Sequence, residues 1–297
     1  MRPVGWLTLF SDSKSEEILE AILQEVRMQI GIDFREYNRN TLKRRLARRM
    51  ALAACNHLEE YLDFLKTTPS EGIALAQEFT IKVSRFFRDK EVFEFLKEKI
   101  LPGLFRQAKR DFGLIRIWSI GCARGEEPYS LAILIQELKE ALLLEEIVCR
   151  IFATDIDQQA LDSARKGVFG PEALKDVSPE IIEKYFIPLS GPKPLFQVRP
   201  EIQKMVDFLH HDVTSPQTTS PPPGIYHEYQ LILCRYLLIY CSQTLKGRVL
   251  KKLYRALAPE GFLVLGKAES VCPELGDFFE LIDKEAQIYR KRGQNEG

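Results

Sequence analysis

The chain has 297 residues, with 42 basic and 42 acidic side chains and a formal net charge of zero. Apolar residues make up 45% and charged residues 28%, which is typical of a folded soluble protein and excludes extensive disorder. Zero net charge excludes a whole-protein attraction to nucleic acid. The sequence contains no run of about 18 apolar residues, so no membrane-inserted segment is predicted.

The cysteines and the N-terminal segment indicate the compartment. The six cysteines are scattered and form no CxxC pair, which favours reduced thiols over a disulfide framework or a zinc site. The first 17 residues contain only a short, interrupted apolar stretch, so no signal peptide is predicted. We therefore expect a cytoplasmic protein without a bound metal.

Residues 13 to 110 carry apolar side chains at helical spacing. A first helix, with a stripe running from Ile18 to Ile30, is predicted to end at Gly31. A second begins near Thr41, a third stops at Pro69, a fourth covers about 71–80, and a longer one follows Phe86-Phe87-Arg88. The inner stripe of the second helix is predicted to be Leu42, Leu46 and Met50.

From residue 114 onward, short apolar strands alternate with helices. This alternation predicts a parallel, doubly wound α/β sheet with ligand chemistry at the carboxyl ends of its strands. Two domains are expected, a helical one over 1–90 and an α/β one over 91–297. Residues 167–205 form an inserted subdomain, and the proline-rich stretch 214–224 forms an exposed loop. The predicted strands are 114–120, 148–154, 205–209, 229–233 and 261–265.

A glycine-bearing turn, 121–125, joins the first strand to the next helix. Its glycines allow a ligand to approach the backbone closely, and the helix N-terminus offers free N–H groups. The spacing is GxxxG and not the dinucleotide GxGxxG, so a simple tight turn stays open as an alternative. Asp155, which ends the second strand, could bind two ribose hydroxyls, although Asp155-Ile156-Asp157 could instead cap a helix, a role that suits Asp157.

Glu126, directly after the turn, restricts the class of cofactor. Its carboxylate would repel a pyrophosphate but tolerates a cofactor that carries a positive centre and an amino-acid ammonium group. S-adenosylmethionine meets this description and NAD does not, and no phosphate-binding GK[ST] motif is present.

Five stretches of the sequence resemble the CheR-type chemotaxis receptor methyltransferase family, and they occur in the same order as in that family. The similarity covers about residues 15 to 290, including GIDFREYNRNTLKRRLARRM in the helical region. It implies a Rossmann-like class I methyltransferase sheet with an inserted small β-subdomain, preceded by an all-α domain. Members of this family transfer the methyl group of S-adenosylmethionine to glutamate side chains on cytoplasmic helices of chemoreceptors, leaving S-adenosylhomocysteine. The stretches are IKVSRFFRDKEVF, IRIWSIGCARGEEPYSLA, IFATDIDQQALDSARKGVF, YQLILCRYLLIYC and ALAPEGFLVLGKAES.

The resemblance implies roles for residues around the glycine turn. Ser84 and Arg88 would contact the cofactor, and Arg88 would pair with its methionine carboxylate beside the site of methyl transfer. Gly121 and Gly125 would form the cofactor turn, and Glu126 would receive the ammonium group.

It also implies roles for residues that follow the later strands. Asp155 would bind the ribose, while Asp212 and Val213 would border the adenine. Arg235 would lie in the cofactor site, and Tyr240 would orient the incoming carboxylate. Because a glutamate is already ionised at neutral pH, Arg88 and Tyr240 would position the reactants and transfer no proton.

Local alternatives to three of these roles stay open. Arg88 could form a surface pair with Asp89, Asp212 could cap a turn, and Tyr240 could be an aromatic side chain packed in an apolar run.

The chain departs from the family pattern at several positions. Lys82 and Tyr236 stand where the family usually has asparagine, and Arg124 stands where threonine is common. Lys267-Ala268 replaces the usual His-Ser. Tyr236 could fill part of the cofactor site or stack on the adenine. These changes support an alternative function, a CheR-like cofactor-binding or signalling module with weak or no methyltransferase activity.

Six basic residues and no acidic ones lie between Arg39 and His57. Arg45, Arg48 and Arg49 share one helical face by their spacing, away from the apolar stripe. A solvated face is one interpretation. The other is a docking surface for the acidic helical region of chemoreceptors, and no aromatic platform points to nucleic acid.

Overall fold

The computed structural model describes residues 8–10, 12–80, 84–110, 113–218, 221 and 228–293. The chain divides into two compact units. The first is Met1–Ile81 with Ile239–Lys246, and the second is Lys82–Leu238 with Gly247–Gly297.

The division differs from the predicted boundary after residue 90 in two respects. Residues 84–89 belong to the second unit because Phe86 is buried in its core, with ring centroids 4.8 Å from Phe169 and 5.2 Å from Phe186. The late segment Ile239–Lys246 belongs to the first unit, where the Asn38 amide donates to the Tyr240 carbonyl at 2.7 Å. No local sequence pattern indicates this second pairing.

The first unit contains four α-helices within the described residues. Helix α1 (Ser13–Ile30) begins where Asp12 accepts a hydrogen bond from the Ser15 amide at 2.8 Å. It ends at Gly31, whose φ of 77° lets its amide donate to the Arg27 carbonyl at 2.9 Å. The others are α2 (Arg39–Leu52), α3 (Leu58–Thr67) and α4 (Pro69–Phe79).

The core of the first unit confirms the stripe predicted for α2, because Leu42, Leu46 and Met50 are all buried. In α1 the middle of the predicted stripe, Ile22 and Val26, is buried, whereas its ends, Ile18 and Ile30, are only half-buried. The buried apolar residues of α1 are Leu19, Ile22, Leu23 and Val26.

The second unit is built on a seven-stranded sheet within the described residues, in the order β6-β2-β1-β7-β8-β10-β9. The first five strands are parallel, and β10 and β9 add an antiparallel edge that the sequence did not predict. The strands of this sheet are β1 (Leu114–Ile120), β2 (Val148–Asp155), β6 (Val206–His210), β7 (Tyr229–Cys234), β8 (Leu257–Leu265), β9 (Phe279–Asp283) and β10 (Ile288–Lys291).

The strand order reverses between β1 and β7, which pair side by side although they are distant in sequence. A crevice forms at the carboxyl ends of the strands at such a reversal, and ligands of doubly wound sheets bind there. Strand β1 runs into Gly121 at this edge, and β7 runs into Arg235.

The helices of this unit begin with a continuous helical segment in which a π-helical turn, Leu96–Ile100, separates α5 from α6. Helix α7 directly follows the glycine turn. The helices are α5 (Lys90–Phe95), α6 (Leu101–Arg110), α7 (Glu126–Leu142), α8 (Gln158–Lys166), α9 (Pro179–Tyr185), α10 (Pro200–Gln203) and α11 (Gln243–Ala256), whose first residues belong to the first unit.

The inserted subdomain is a small antiparallel sheet in the order β3-β5-β4. Its strands are β3 (Val168–Phe169), β4 (Phe186–Leu189) and β5 (Leu195–Val198), all within the predicted insertion.

A buried histidine lies just beyond β6. His211 is 5% exposed, and the centroids of the His211 and Trp118 rings are 5.6 Å apart in a T-shaped arrangement. Neither nitrogen of the His211 ring has a hydrogen-bond partner among the described residues. Burial, reinforced by the charge of Lys252, lowers the pKa of His211 to about 4, while Asp212 acts in the opposite direction.

The lowered pKa of His211 predicts that the fold is less stable in acid. Between pH 6.5 and 4 the unfolded chain binds a proton at His211 that the folded chain does not, so stability is lost as the pH falls through this range. The loss at pH 4 amounts to about 3 kcal/mol at most. We expect urea unfolding at several pH values to show a shallower pH dependence for His211→Phe than for the wild type. Equal slopes for the two proteins would contradict the prediction.

Candidate active site

The glycine turn directly follows the carboxyl end of β1. The amides of Gly121 and Cys122 donate to the Thr154 carbonyl at 2.8 and 3.0 Å, which joins the end of β1 to the end of β2. Gly121 and Gly125 have φ values of 69° and 96°. A Cβ at Gly125 would lie 3.0 Å from the Phe208 ring, so both conformation and space require glycine there.

Glu126 begins α7 directly after this turn, with only 5% of the residue exposed. Ser84 donates a hydrogen bond to its carboxylate, but Oε2 has no partner among the described residues. Burial raises the pKa of Glu126, because the charged form is poorly solvated. A cationic hydrogen-bond donor at this position would bind the unpartnered oxygen and would stabilise the ionised form of the Glu126 carboxylate.

Asp155 ends β2 beside the glycine turn. Its Oδ2 accepts from the Ala123 amide at 2.8 Å, and its Oδ1 accepts from the Asp157 amide at 2.9 Å. Asp157 is the N-cap of α8, because its carboxylate accepts from the Gln159 and Ala160 amides. Asp155 therefore shapes the turn, and each carboxylate oxygen can accept more than one hydrogen bond.

Residues 84–89 form a strained segment beside α7. Phe87 and Asp89 have positive φ values of 52° and 60°, which non-glycine residues adopt rarely. The Phe87 amide donates to Ser130 Oγ at 2.9 Å, and the Ser130 hydroxyl in turn donates to the Glu126 carbonyl at 2.6 Å. Helix α7 thereby holds this segment against the glycine turn.

Arg235, which follows β7, is a buried ion-pair centre. Its side chain is 2% exposed, and Nη1 lies 3.0 Å from Glu127 Oε2. Nη2 donates to the Arg88 carbonyl at 3.0 Å and to Asp89 Oδ2. A guanidinium buried among these partners positions the 84–89 segment. The contact of Arg235 with the cofactor stays a prediction.

Tyr236 lies against Arg88. The Arg88 guanidinium carbon is 3.6 Å from the centre of the Tyr236 ring, and the Tyr236 hydroxyl donates to Asp89 Oδ2 at 2.5 Å. The Tyr236 amide donates to Glu269 Oε2 at 2.8 Å. Burial, and then the hydrogen bond to Asp89, raise the pKa of the Tyr236 hydroxyl.

Asp212 and Val213 follow β6 at the same edge of the sheet. Asp212 Oδ1 accepts from both the amide and the hydroxyl of Thr214, at 2.8 and 2.6 Å, which is the turn-capping role left open by the sequence. Val213 is buried, and Lys252 Nζ donates to the carbonyls of Val213 and Ser215 at 2.7 Å. The start of the proline-rich stretch is thus held to α11, while residues 219, 220 and 222–224 lie outside the described residues.

Tyr240 belongs to the first unit, together with the N-terminal end of α2. The structure therefore does not place it in the same unit as Arg88, and its contact with an acceptor stays a prediction.

The arginines of α2 do not form one exposed face, which corrects the prediction from their spacing. Arg49 forms an ion pair with the buried Glu71 at 2.6 Å, and Arg45 lies 3.8 Å from Glu78 with 15% of its side chain exposed. Arg48 is 72% exposed. The two inner arginines face α4 because α4 supplies these carboxylates.

The positions that depart from the family pattern have separate surroundings. Lys267 forms an ion pair with Glu91, and Arg124 is exposed within the glycine turn. Lys82 lies outside the described residues.

The sequence did not indicate the roles that three acidic residues have in the site. Asp89 and Glu127 hold Arg235, and Glu269 accepts the amides of Gly266 and Tyr236 at 2.7 and 2.8 Å. An arginine directly after a buried strand needs nearby carboxylates, and this requirement was the available signal.

The residues present fit S-adenosylmethionine. The unpartnered oxygen of Glu126 suits an ammonium group, and Gly121, at the end of β1, is exposed. Within the described ranges, no three His, Cys, Asp or Glu side chains are grouped to hold a metal ion. None of the helices in the described part of the chain combines the length and apolar character needed to cross a bilayer.

The chain is similar to several known proteins. The chain is 30% identical over 259 residues to the chemotaxis protein methyltransferase of Escherichia coli (strain K12), covering 86% of this chain and 85% of that protein. It is 30% identical to an uncharacterized 104.1 kDa protein of Rhodobacter capsulatus, covering 91% of this chain but 27% of that longer protein. A solved S-adenosylmethionine dependent methyltransferase from Mesorhizobium loti is 14% identical with a TM-score of 0.28, over 55% of this chain and 51% of that one.

Two family models together account for nearly the whole chain. The model described as CheR methyltransferase, SAM binding domain, matches residues 82–288, and the model described as CheR methyltransferase, all-alpha domain, matches residues 17–80. The chain therefore belongs to the CheR methyltransferase family and is an S-adenosylmethionine-dependent methyltransferase.

Proposed function

We propose that this chain methylates glutamate side chains on the cytoplasmic helices of chemoreceptors, giving glutamate methyl esters. The name of the Escherichia coli relative supports a role in chemotaxis. The observation that carries the proposal is the buried Glu126 carboxylate with an unpartnered oxygen, in the same unit as Arg88. An anion and a cation at one strand edge suit the two charged groups of an amino-acid cofactor.

Four residues of the second unit would hold the cofactor at its polar ends. Glu126 would bind the ammonium group, and Arg88 would bind the methionine carboxylate. Asp155 would accept hydrogen bonds from the ribose hydroxyls in addition to the two backbone amides that it already binds. Ser84 would orient the Glu126 carboxylate.

The adenine would lie against the segment after β6. Val213 is buried there, and the Asp212 carboxylate is oriented by its hydrogen bonds to Thr214. Lys252 fixes the backbone of this segment through two carbonyl oxygens, which would keep the adenine site in one shape.

The reaction requires this chain to align the acceptor carboxylate with the methyl group, and it requires no proton transfer. S-adenosylmethionine supplies an electrophilic methyl group. A glutamate acceptor, with a pKa near ~4.3, is ionised at neutral pH and needs no general base. Arg88 and Tyr240 would orient the reactants, which is how most of the acceleration is expected to arise.

The acceptor would reach the enzyme through the helical unit, in the cytoplasm. Exposed basic residues on α2 would attract the acidic methylation helices of a receptor. Arg44 and Arg48 are the exposed members, and Arg45 and Arg49 would contribute through the orientation of α2. The inserted β-subdomain would offer a second protein-binding surface.

The role of Glu126 can be tested by binding. Glu126→Gln keeps the shape and removes the charge, so we expect about 10- to 100-fold weaker binding of S-adenosylhomocysteine by calorimetry. Glu140→Gln, on the exposed part of the same helix, should leave the affinity unchanged. Unchanged affinity of Glu126→Gln would exclude this ammonium site.

The docking surface can be tested by charge reversal. The double variant Arg44→Glu/Arg48→Glu should lower the rate of receptor methylation about three- to tenfold at low salt, and less at high salt because ions screen exposed charges. Binding of S-adenosylhomocysteine should not change. The matched control is Arg106→Glu/Arg110→Glu, which reverses two exposed arginines at the same spacing on α6. Equal rates for the α2 and α6 variants at low salt would contradict the prediction.

The substrate can be tested with methyl-labelled S-adenosylmethionine and a receptor cytoplasmic fragment. We expect base-labile label on the fragment, because carboxyl methyl esters hydrolyse readily, and none on a fragment whose glutamates are replaced by alanine. Binding of the cofactor without transfer to any receptor fragment would favour the signalling module over the enzyme.

A further inference from the structure

We propose that Tyr236 is a positioning residue for cofactor binding, which acts by stacking on the Arg88 guanidinium. This inference rests on the role of Arg88 in the proposed function. Tyr236 stands where the family usually has asparagine, so the stack is a feature of this chain and not of the family pattern.

The contact has the geometry of a cation–π interaction. The Arg88 guanidinium carbon lies 3.6 Å from the centre of the Tyr236 ring, well within the range over which a ring face attracts a cation. The Arg235 guanidinium carbon lies farther from the same ring, at 5.5 Å. The ring therefore covers one side of the Arg88 guanidinium and restricts its movement.

The ring itself is held from two sides. Its hydroxyl donates to Asp89 Oδ2 at 2.5 Å, and its backbone amide donates to Glu269 Oε2 at 2.8 Å. Tyr236 has a φ of 60°, a conformation that costs energy for a bulky residue. These contacts offset that cost and keep the ring against Arg88.

The hydrogen bond of the Tyr236 hydroxyl also engages a carboxylate next to Arg88 in the sequence. Asp89 is the sequence neighbour of Arg88, and its Oδ2 accepts from both Tyr236 and Arg235. Tyr236 thus directs Arg88 in two ways, by stacking on its guanidinium and by binding the adjacent carboxylate. Both effects favour the pairing of Arg88 with a carboxylate supplied by the ligand.

The stack predicts a selective loss of affinity. S-adenosylhomocysteine carries the amino-acid carboxylate, whereas methylthioadenosine has the same nucleoside without it. Tyr236→Leu should weaken binding of S-adenosylhomocysteine about 5- to 30-fold, the range expected for a partly desolvated cation–π contact. Binding of methylthioadenosine should change less than about twofold. Tyr236→Phe keeps the ring and should recover most of the affinity for S-adenosylhomocysteine.

A double-mutant cycle measured by calorimetry on the full chain separates the possible outcomes. Arg88→Met should weaken S-adenosylhomocysteine binding, and adding Tyr236→Leu to it should have little further effect, since both changes remove one interaction. If Tyr236→Leu does not fold, Tyr236→Asn serves instead, because asparagine tolerates this backbone conformation better.

Three results would overturn the inference. Equal weakening of both ligands by Tyr236→Leu would show a ring that stacks on the adenine or supports the fold. Additive effects in the cycle would show that Tyr236 does not act through Arg88. An unchanged affinity of Tyr236→Leu beside a weakened Arg88→Met would refute the stack alone, whereas an unchanged Arg88→Met would refute the role of Arg88 in the proposed function.

Discussion

The buried ion pairs of Arg235 are the interaction on which the rest of the site depends. A guanidinium that is 2% exposed is tolerable only when carboxylates and carbonyls surround it. Asp89, Glu127 and the Arg88 carbonyl supply these partners, so one side chain joins the 84–89 segment to α7 and to the end of β7. Without Arg235, Asp89 and Glu127 would remain as uncompensated charges, and the strained backbone around Arg88 would lose its support.

The two neighbouring glutamates of α7 show how the fold separates structure from binding. Glu127 is fully engaged, with Arg235 on one oxygen and the Ser119 hydroxyl on the other. Glu126 is more deeply buried, and one of its oxygens has no partner among the described residues. The Glu127 carboxylate joins elements of the fold, and the Glu126 carboxylate keeps an unpartnered oxygen to which a cationic ligand can donate a hydrogen bond.

Much of the fold could be predicted from the sequence because its signals are local. Strand positions, the glycine turn and the α2 stripe follow from short periodic patterns. Contacts between distant residues could not be predicted. Asp89 and Arg235 are 146 residues apart, and nothing near either one names its partner. Likewise, the spacing of Arg45 and Arg49 could not show that α4 would supply Glu71 and Glu78 as their partners.

The proposed function depends on the binding of the two charged groups of one cofactor by Glu126 and Arg88. A crystal structure of the protein with S-adenosylhomocysteine measures this most directly. We expect the ammonium nitrogen within hydrogen-bond distance of Glu126 Oε2, and the carboxylate paired with an Arg88 guanidinium that remains stacked on Tyr236. An ammonium group bound away from Glu126, or a carboxylate that does not contact Arg88, would contradict it.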